Sequence, residues 1–239
     1  MPKLGVNIDH IATLRQQRKI GYPSIIEAAK IVESCGAHQV TVHLREDRRH
    51  IQDEDVLQLK KILKIPFNLE MSLNNEIVEF ALKVKPDEVC IVPERRQELT
   101  TEGGLDLEKN YKRVKSVVSQ LKQRGIIVSL FIEPEIKSVL LAKELGADAV
   151  ELHTGRYSLC KVGTKKFYFE LNRIKKASKI VIEQGLILNA GHGLDYNNVK
   201  YISIIKGMNT LNIGFSIVAR AVFVGLEKAI KEMLKLVTV

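Results

Sequence analysis

The stretch Ile127-Val-Ser-Leu-Phe-Ile-Glu133 is followed by Pro134, a helix-patterned segment over 135–145, Gly146, and a second apolar run, Ala149-Val-Glu-Leu-His-Thr154. Each run is short and rich in Val, Ile, Leu or Phe, as a strand covered on both faces is. Proline at a helix start forfeits only an N–H that has no partner there, and glycine suits the backbone that ends a helix. The segment therefore reads as strand, helix, strand.

The same unit recurs in both directions. Further apolar runs lie at 4–9, 39–44, 67–71, 88–93, 186–191 and 210–215, and further helical patterns at 24–34, 55–63, 75–84, 106–124, 165–184, 195–205 and 216–236. The pattern at 24–34 carries Ile25, Ala28, Ala29 and Val32 at i, i+3, i+4 and i+7, with Gly36 as its stop. Asp195 stands where a helix start is expected, and Gly125 and Gly185 where stops are. Eight strand–helix units in 239 residues predict a (β/α)8 TIM barrel of the α/β class, a fold of roughly 250 residues. No linker or composition shift marks a second domain, so residues 1–239 read as a single catalytic domain. An open doubly wound sheet is the alternative, but no Gly-x-Gly-x-x-Gly follows the first strand. The long connections at 12–23, 45–53 and 94–106 all follow strands, on the face where barrel active sites sit.

Composition excludes several classes. Hydrophobic residues at 45% and charged residues at 27% argue against disorder. Cys35, Cys90 and Cys160 are scattered and odd in number, which fits a reducing cytosol better than a disulfide framework or zinc knuckle. No run is long enough to span a membrane, and the first residues lack a signal-peptide pattern. The net charge of +9 has two explanations, attraction to nucleic acid or an anionic small substrate. The charge is spread along the chain and aromatics make up only 5%, with no Trp for base stacking, which favours the small substrate.

Side chains alternate across a strand, so i and i+2 share a face. That rule groups Asn7 with Asp9, then Thr41 with His43 and Arg45, Asn68 with Glu70, and Glu151 with His153, and places Asn189 and Asn212 in the last two strands. The opposite faces carry Val6 and Ile8, Val40 and Val42, Leu69, and Val150 and Leu152. The polar faces thus point into the barrel. Barrel interiors are ordinarily filled by branched apolar side chains, so a recurrent polar inner face is poorly explained by stability. Any one member alone reads equally well as a satisfied buried polar group.

His10, His43, His50, His153 and His192 fall at strand ends or just beyond, whereas His38 precedes its strand and reads as structural. Glu70, raised by desolvation, and His43 and His192 are proton-transfer candidates. Asp9 and His10, being adjacent, point to opposite sides if the strand continues, and no pair has metal-ligand spacing, so no metal site is expected. Asn189-Ala-Gly-His-Gly193 and Asn212-Ile-Gly214 let backbone N–H groups approach a phosphate at a helix start. Arg15, Arg18, Arg45, Arg48 and Arg49 are available to anions, although Arg48 and Arg49 read equally as surface residues. Cys90 and Ser129 lack the neighbours of an activated nucleophile, and Cys160 reads as incidental.

Gly5-Val-Asn-Ile-Asp-His-Ile-Ala-Thr-Leu-Arg15, Thr41-Val-His-Leu-Arg-Glu-Asp-Arg-Arg-His50 and Asn68-Leu-Glu-Met71 resemble the pyridoxine 5′-phosphate synthase family. So do Val92-Pro-Glu-Arg-Arg-Gln-Glu-Leu-Thr-Thr-Glu-Gly-Gly104, His153-Thr-Gly155, Asn189-Ala-Gly-His-Gly-Leu194 and Leu211-Asn-Ile-Gly214. The resemblance implies condensation of 1-deoxy-D-xylulose 5-phosphate with 3-amino-2-oxopropyl phosphate to pyridoxine 5′-phosphate, phosphate and water. It implies a cytoplasmic homo-octamer needing no metal or organic cofactor. His43 and Glu70 are implied as proton acceptors, His192 as proton donor and Glu151 as transition-state stabiliser. Asp9, His10, Arg45, His50 and Thr100 fall to the deoxyxylulose phosphate, and Asn7, Arg18, Gly193, Gly214 and Phe215 to the aminoketone phosphate. Phe215 departs from the family, which commonly has His there; a contact through its backbone N–H leaves the function intact. The 94–106 connection, with Thr100 and Gly103-Gly104, is either a water-excluding lid or a static loop. Two other readings are a phosphosugar barrel isomerase or aldolase, for which a Schiff-base lysine is missing at the strand ends, and a basic nucleic-acid-binding protein, which rests on charge alone.

Overall fold

A computed structural model describes residues 1–94 and 103–238. Eight strands, β1 (Lys3–Asn7), β2 (Gln39–His43), β3 (Phe67–Met71), β4 (Glu88–Ile91), β5 (Ile127–Ile132), β6 (Ala149–His153), β7 (Ile187–Gly191) and β8 (Met208–Ile213), pair in parallel and in sequence order. β8 returns to β1, closing the barrel. The helices are α1 (Asp9–Arg18), α2 (Ile25–Ser34), α3 (Asp53–Ile62), α4 (Asn75–Val84), α5 (Tyr111–Gln123), α6 (Ile136–Glu144), α7 (Gly155–Ser158), α8 (Lys165–Glu183), α9 (Val199–Ser203), α10 (Phe215–Val224) and α11 (Leu226–Val237). This is the (β/α)8 barrel expected from the alternating runs. Among the described residues no helix is long and apolar enough to cross a membrane.

The strand parity holds. Val6, Val40, Val42, Leu69, Val150 and Leu152 are fully buried in one apolar layer between sheet and helices. Each such side chain contributes about 1.5–3 kcal/mol on burial. α2 buries Ile25, Ala28, Ala29 and Val32, the stripe read from sequence. Ser24 caps it by accepting from the Glu27 N–H. The interior is different: among the described residues its apolar patch is Cys90, Val92 and Phe131.

Some boundaries differ from expectation. The first connection is largely helical, because α1 begins at Asp9, two residues after β1 ends. Periodicity could not show it, since the only apolar residues α1 buries are Ile11 and Ala12; bonds from Arg15 to both Asp55 oxygens tie it down instead. The segment read as one helix over 216–236 is two, α10 and α11, broken at Gly225, whose φ of +82° is left-handed. The helices expected from Asp106 and Asp195 start later, at Tyr111 and Val199. Both aspartates instead accept backbone N–H bonds in the preceding turn, from Lys109 in one case and from Asn197 and Asn198 in the other.

Candidate active site

Each strand delivers its polar inner residues to the same space. The β2–β3 register sets His43 beside Glu70, and the β6–β7 register sets Glu151 beside Asn189 and His153 beside Gly191. Inside, Asn212 donates to Glu151 at 2.6 Å, Thr41 to Asn212 at 3.3 Å, and Asn68 to Thr41 at 3.4 Å. Cys90 Sγ lies 3.8 Å from Glu151 Oε2, and Asn189 donates to Glu88 at 3.2 Å. These polar groups are mostly satisfied by one another, which makes their burial affordable.

Asp9 bridges two strands. Its Oδ2 accepts from the Asn7 amide at 2.8 Å and its Oδ1 from the His43 backbone N–H at 2.8 Å. Because β1 ends at Asn7, Asp9 and His10 are helical neighbours and do not alternate as strand residues. His10 turns its ring edge to Phe215, centroids 5.3 Å apart, and burial holds its pKa below the ordinary value against the pull of Asp9.

Burial pushes the Glu70 carboxyl well above the usual carboxylate range, the charges of Glu151 and Asp9 push the same way, and the nearby Asn7 amide offsets part. Burial likewise lifts Glu151 to about 7, opposed by the Asn212 bond and reinforced by Glu88. Burial is the sole cause that lifts Glu88 to about 7. His192 moves the other way, to about 4, through burial and then the charges of His153 and His10.

His43 and Arg45 are both buried and share one carboxylate, Glu94, which lies 3.6 Å from His43 Nε2 and 3.5 Å from Arg45 Nε. Burial pushes the Glu94 pKa up, but the neighbouring His43 imidazole and the charge of Arg45 bring it below the ordinary value. His50 accepts from the Ile51 N–H through Nδ1 at 2.8 Å, so its neutral ring carries the proton on Nε2. Burial lowers the His50 pKa, with Asp9 opposing.

His192 directly follows β7 and has a φ of +76°, uncommon for a residue with a Cβ. The Thr154 hydroxyl lies 2.6 Å from the His192 carbonyl and 2.8 Å from that of Gly191, which fixes this turn. Gly214 and Phe215 open α10, where the first backbone N–H groups are free of helical partners. Gly193 does not open a helix; α9 starts at Val199. Phe215 is 69% exposed.

The arginines divide. Arg15 is committed to Asp55 and to the His50 carbonyl, Arg48 to Asp53 and Glu76, and Arg49 to Asp47. Arg18 is exposed in the last turn of α1 and, among the described residues, bonds to none of the other candidates. Thr100 lies outside the described residues, as does most of the 94–106 connection. Among the described residues there is no cluster of three or more metal-ligating side chains. Among the described residues the only lysine in the strands is Lys3, at the opposite end of β1 from the site.

Three carboxylates escaped the sequence reading: Glu88, Glu94 and Glu133. Parity had the signal for two of them, since Glu88 precedes Cys90 by two residues and Glu133 follows Phe131 by two. Nothing local marks Glu94.

The family model described as "Pyridoxal phosphate biosynthesis protein PdxJ" matches residues 4–239. The chain belongs to that family. Pyridoxine 5′-phosphate synthase of Prochlorococcus marinus (strain MIT 9312) is 51% identical over 238 residues, covering 100% of this chain and 99% of the relative. The enzyme of the same name from Synechococcus sp. (strain JA-2-3B'a(2-13)) is 52% identical, covering 98% and 97%. That from Coxiella burnetii (strain RSA 493 / Nine Mile phase I) is 50% identical, covering 99% and 98%. Among solved structures, KGPDC from Streptococcus mutans superposes with a TM-score of 0.69 at 13% identity, covering 100% and 98%. Thiamine phosphate pyrophosphorylase from Pyrococcus furiosus superposes at 0.64 and 16%, covering 99% and 95%. These last two are shared barrel folds only.

Proposed function

We propose that the chain is a pyridoxine 5′-phosphate synthase. It joins 1-deoxy-D-xylulose 5-phosphate to 3-amino-2-oxopropyl phosphate and releases pyridoxine 5′-phosphate, phosphate and water. The observation that carries this is the family match over residues 4–239, with relatives of that name about half identical along their full length.

The site's chemistry supports the reading. Ring formation with loss of water and phosphate takes several proton transfers, which separate acids and bases supply. His43 and Glu70, neighbours across β2 and β3, are the proton acceptors. A carboxyl with a raised pKa is the stronger base once ionised, which suits Glu70. His192 is the donor. At about 4 its imidazole is neutral in the free protein near pH 7, and a bound phosphate dianion nearby favours the imidazolium. The donor is thus charged mainly when substrate is present. Glu151, anchored by Asn212, stabilises positive charge developing above it.

Asp9, His10, Arg45, His50 and Thr100 hold the deoxyxylulose phosphate. Asn7, Arg18, Gly193, Gly214 and Phe215 hold the aminoketone phosphate, with the α10 N–H groups facing its phosphoryl oxygens. Bringing two phosphorylated partners together supplies the entropic share of catalysis. We place the enzyme in the cytoplasm as a homo-octamer of single catalytic domains, residues 1–239, working without metal or organic cofactor.

Purified protein given both substrates and no added metal is expected to form pyridoxine 5′-phosphate, read by mass spectrometry. Folded protein that makes none refutes the reading. Glu70→Gln and His43→Asn are expected to lower kcat by about 10²-fold or more with the fold intact. Unchanged kcat in both removes them from the mechanism.

A further inference from the structure

Glu133 and His153 belong to no role assigned above, yet they form the tightest carboxylate–imidazole contact at the mouth of the barrel. Glu133 follows β5, and His153 is the last residue of β6. Phe131 pairs with Glu151 in that sheet, so two residues further on the register brings Glu133 alongside His153. Oε1 of Glu133 lies 2.7 Å from Nδ1 of His153, and the two side chains are 20% and 4% exposed. The carboxylate also accepts from the Gly104 N–H at 3.2 Å. A carboxylate on Nδ1 fixes the tautomer and leaves Nε2 as the working nitrogen.

That nitrogen is buried and has no hydrogen-bond partner among the described residues. It is aimed at Gly155. A Cβ on residue 155 would lie 2.4 Å from His153 Nε2 and 3.2 Å from His192 Cδ2. Glycine therefore keeps open the one gap onto which both rings abut. The ring centroids of His153 and His192 are 5.1 Å apart at 61°. Burial of a ring nitrogen without a partner is costly, so its retention next to a proton donor calls for a use.

We propose that Glu133 and His153 are positioning residues that return a proton to His192 after it has donated one. The inference rests on the reading of His192 as proton donor. In the step, the Nε2–H bond of the His153 imidazolium breaks and an N–H bond forms on the neutral His192 ring. His153 is left neutral, with its Nδ1–H still on Glu133, and His192 becomes the imidazolium. A proton from solvent then recharges His153, so charge and atoms balance. Among the described residues the charged groups facing the pair come from three elements. Arg156 on α7 and Arg173 on α8 each lie 3.8 Å from Glu133 Oε2, and Arg173 is itself held by Glu170 and Glu135. His192 faces His153, and His10 acts on His192 from α1.

Five variants, His153→Gln, His153→Ala, Glu133→Gln, Glu133→Asp and His192→Asn, test this in steady-state assays with both substrates across pH 6–9, with circular dichroism as the check on folding. His153→Gln is expected to lower kcat by about 10–100-fold while KM for each substrate stays within about twofold. Glu133→Gln removes the negative charge beside the imidazolium, so the alkaline limb of its kcat profile moves to lower pH, and Glu133→Asp restores most of the wild-type profile. Added imidazole is expected to recover part of the turnover lost in His153→Ala, which a purely structural histidine would not permit. Wild-type kcat and pH profile in His153→Gln and Glu133→Gln, alongside an inactive His192→Asn, overturn the relay and leave the donor reading standing. A fully active His192→Asn overturns the donor reading, and the relay with it.

Discussion

Replacing Glu88 with glutamine is expected to stabilise the protein, and to do so more as the pH rises. Glu88 opens β4 at the end of the barrel away from the mouth, and its one side-chain partner among the described residues is the Asn189 amide, 3.2 Å from Oε1. Burial lifts its pKa from the ordinary 4.5 to about 7. The folded chain therefore binds this proton more tightly than the unfolded chain. The stability tied to it is fully present below pH 4.5 and is lost as the pH climbs through 7. Each pKa unit is worth about 1.4 kcal/mol, so the cost of ionising Glu88 in place grows from about 1 kcal/mol at pH 5 to about 3 kcal/mol at pH 8. Partial contact with water at that end of the barrel makes the second figure an upper bound. Glutamine keeps an oxygen for Asn189 and has no charge to desolvate. It also removes a negative charge that raises Glu151, which acts in the same direction. Urea unfolding of both proteins at pH 5 and pH 8, at one fixed protein concentration, measures the difference. A gain of about 2 kcal/mol at pH 8 over that at pH 5 is the expected outcome. The same stability change at both pH values refutes the argument, because it means that Glu88 titrates alike in the folded and unfolded chain.

Arg15→Ala is expected to cost about 2 kcal/mol of stability, seen as a lower Tm, because it strips Asp55 of a bidentate, largely buried partner; a loss confined to KM with Tm unchanged would give Arg15 back to the substrate. Phe215→Ala is expected to leave KM for the aminoketone phosphate within about threefold, since the side chain is 69% exposed and the phosphate contact runs through backbone N–H. A tenfold rise in KM points instead to the ring. The His192 imidazole, followed by NMR, is expected to titrate near 4 in the free protein and to move upward when inorganic phosphate or a phosphorylated substrate binds. A midpoint at or above 6 without ligand contradicts the burial argument.

Much of the barrel is legible in the sequence. The polar sets Asn7, His43, Glu70, Glu151 and His153 on one side and Val6, Val42 and Leu69 on the other follow from a period of two, and the structure keeps both. Helices with a broad apolar stripe, such as α2, were equally plain. The α1 helix was not, because contacts with Asp55 and the His50 carbonyl hold it where apolar periodicity is weak. The break at Gly225 was hidden by apolar periodicity that continues on both sides of it.

The sequence by itself determined which residues line the barrel and that they are acids, bases and amides, because alternation along a strand is local and survives without knowing the neighbours. Which of them meet was decided only by the closed sheet. Glu94 reaches His43 and Arg45 from about 50 residues away in the chain, and Glu133 reaches His153 from 20. Those pairings depend on strand register and rotamer, which no local pattern encodes. Burial decided the rest: it raises Glu70, Glu88 and Glu151 and lowers His192, turning similar side chains into groups of different protonation. Desolvation belongs to the surroundings of a group, and those exist only once the barrel is closed.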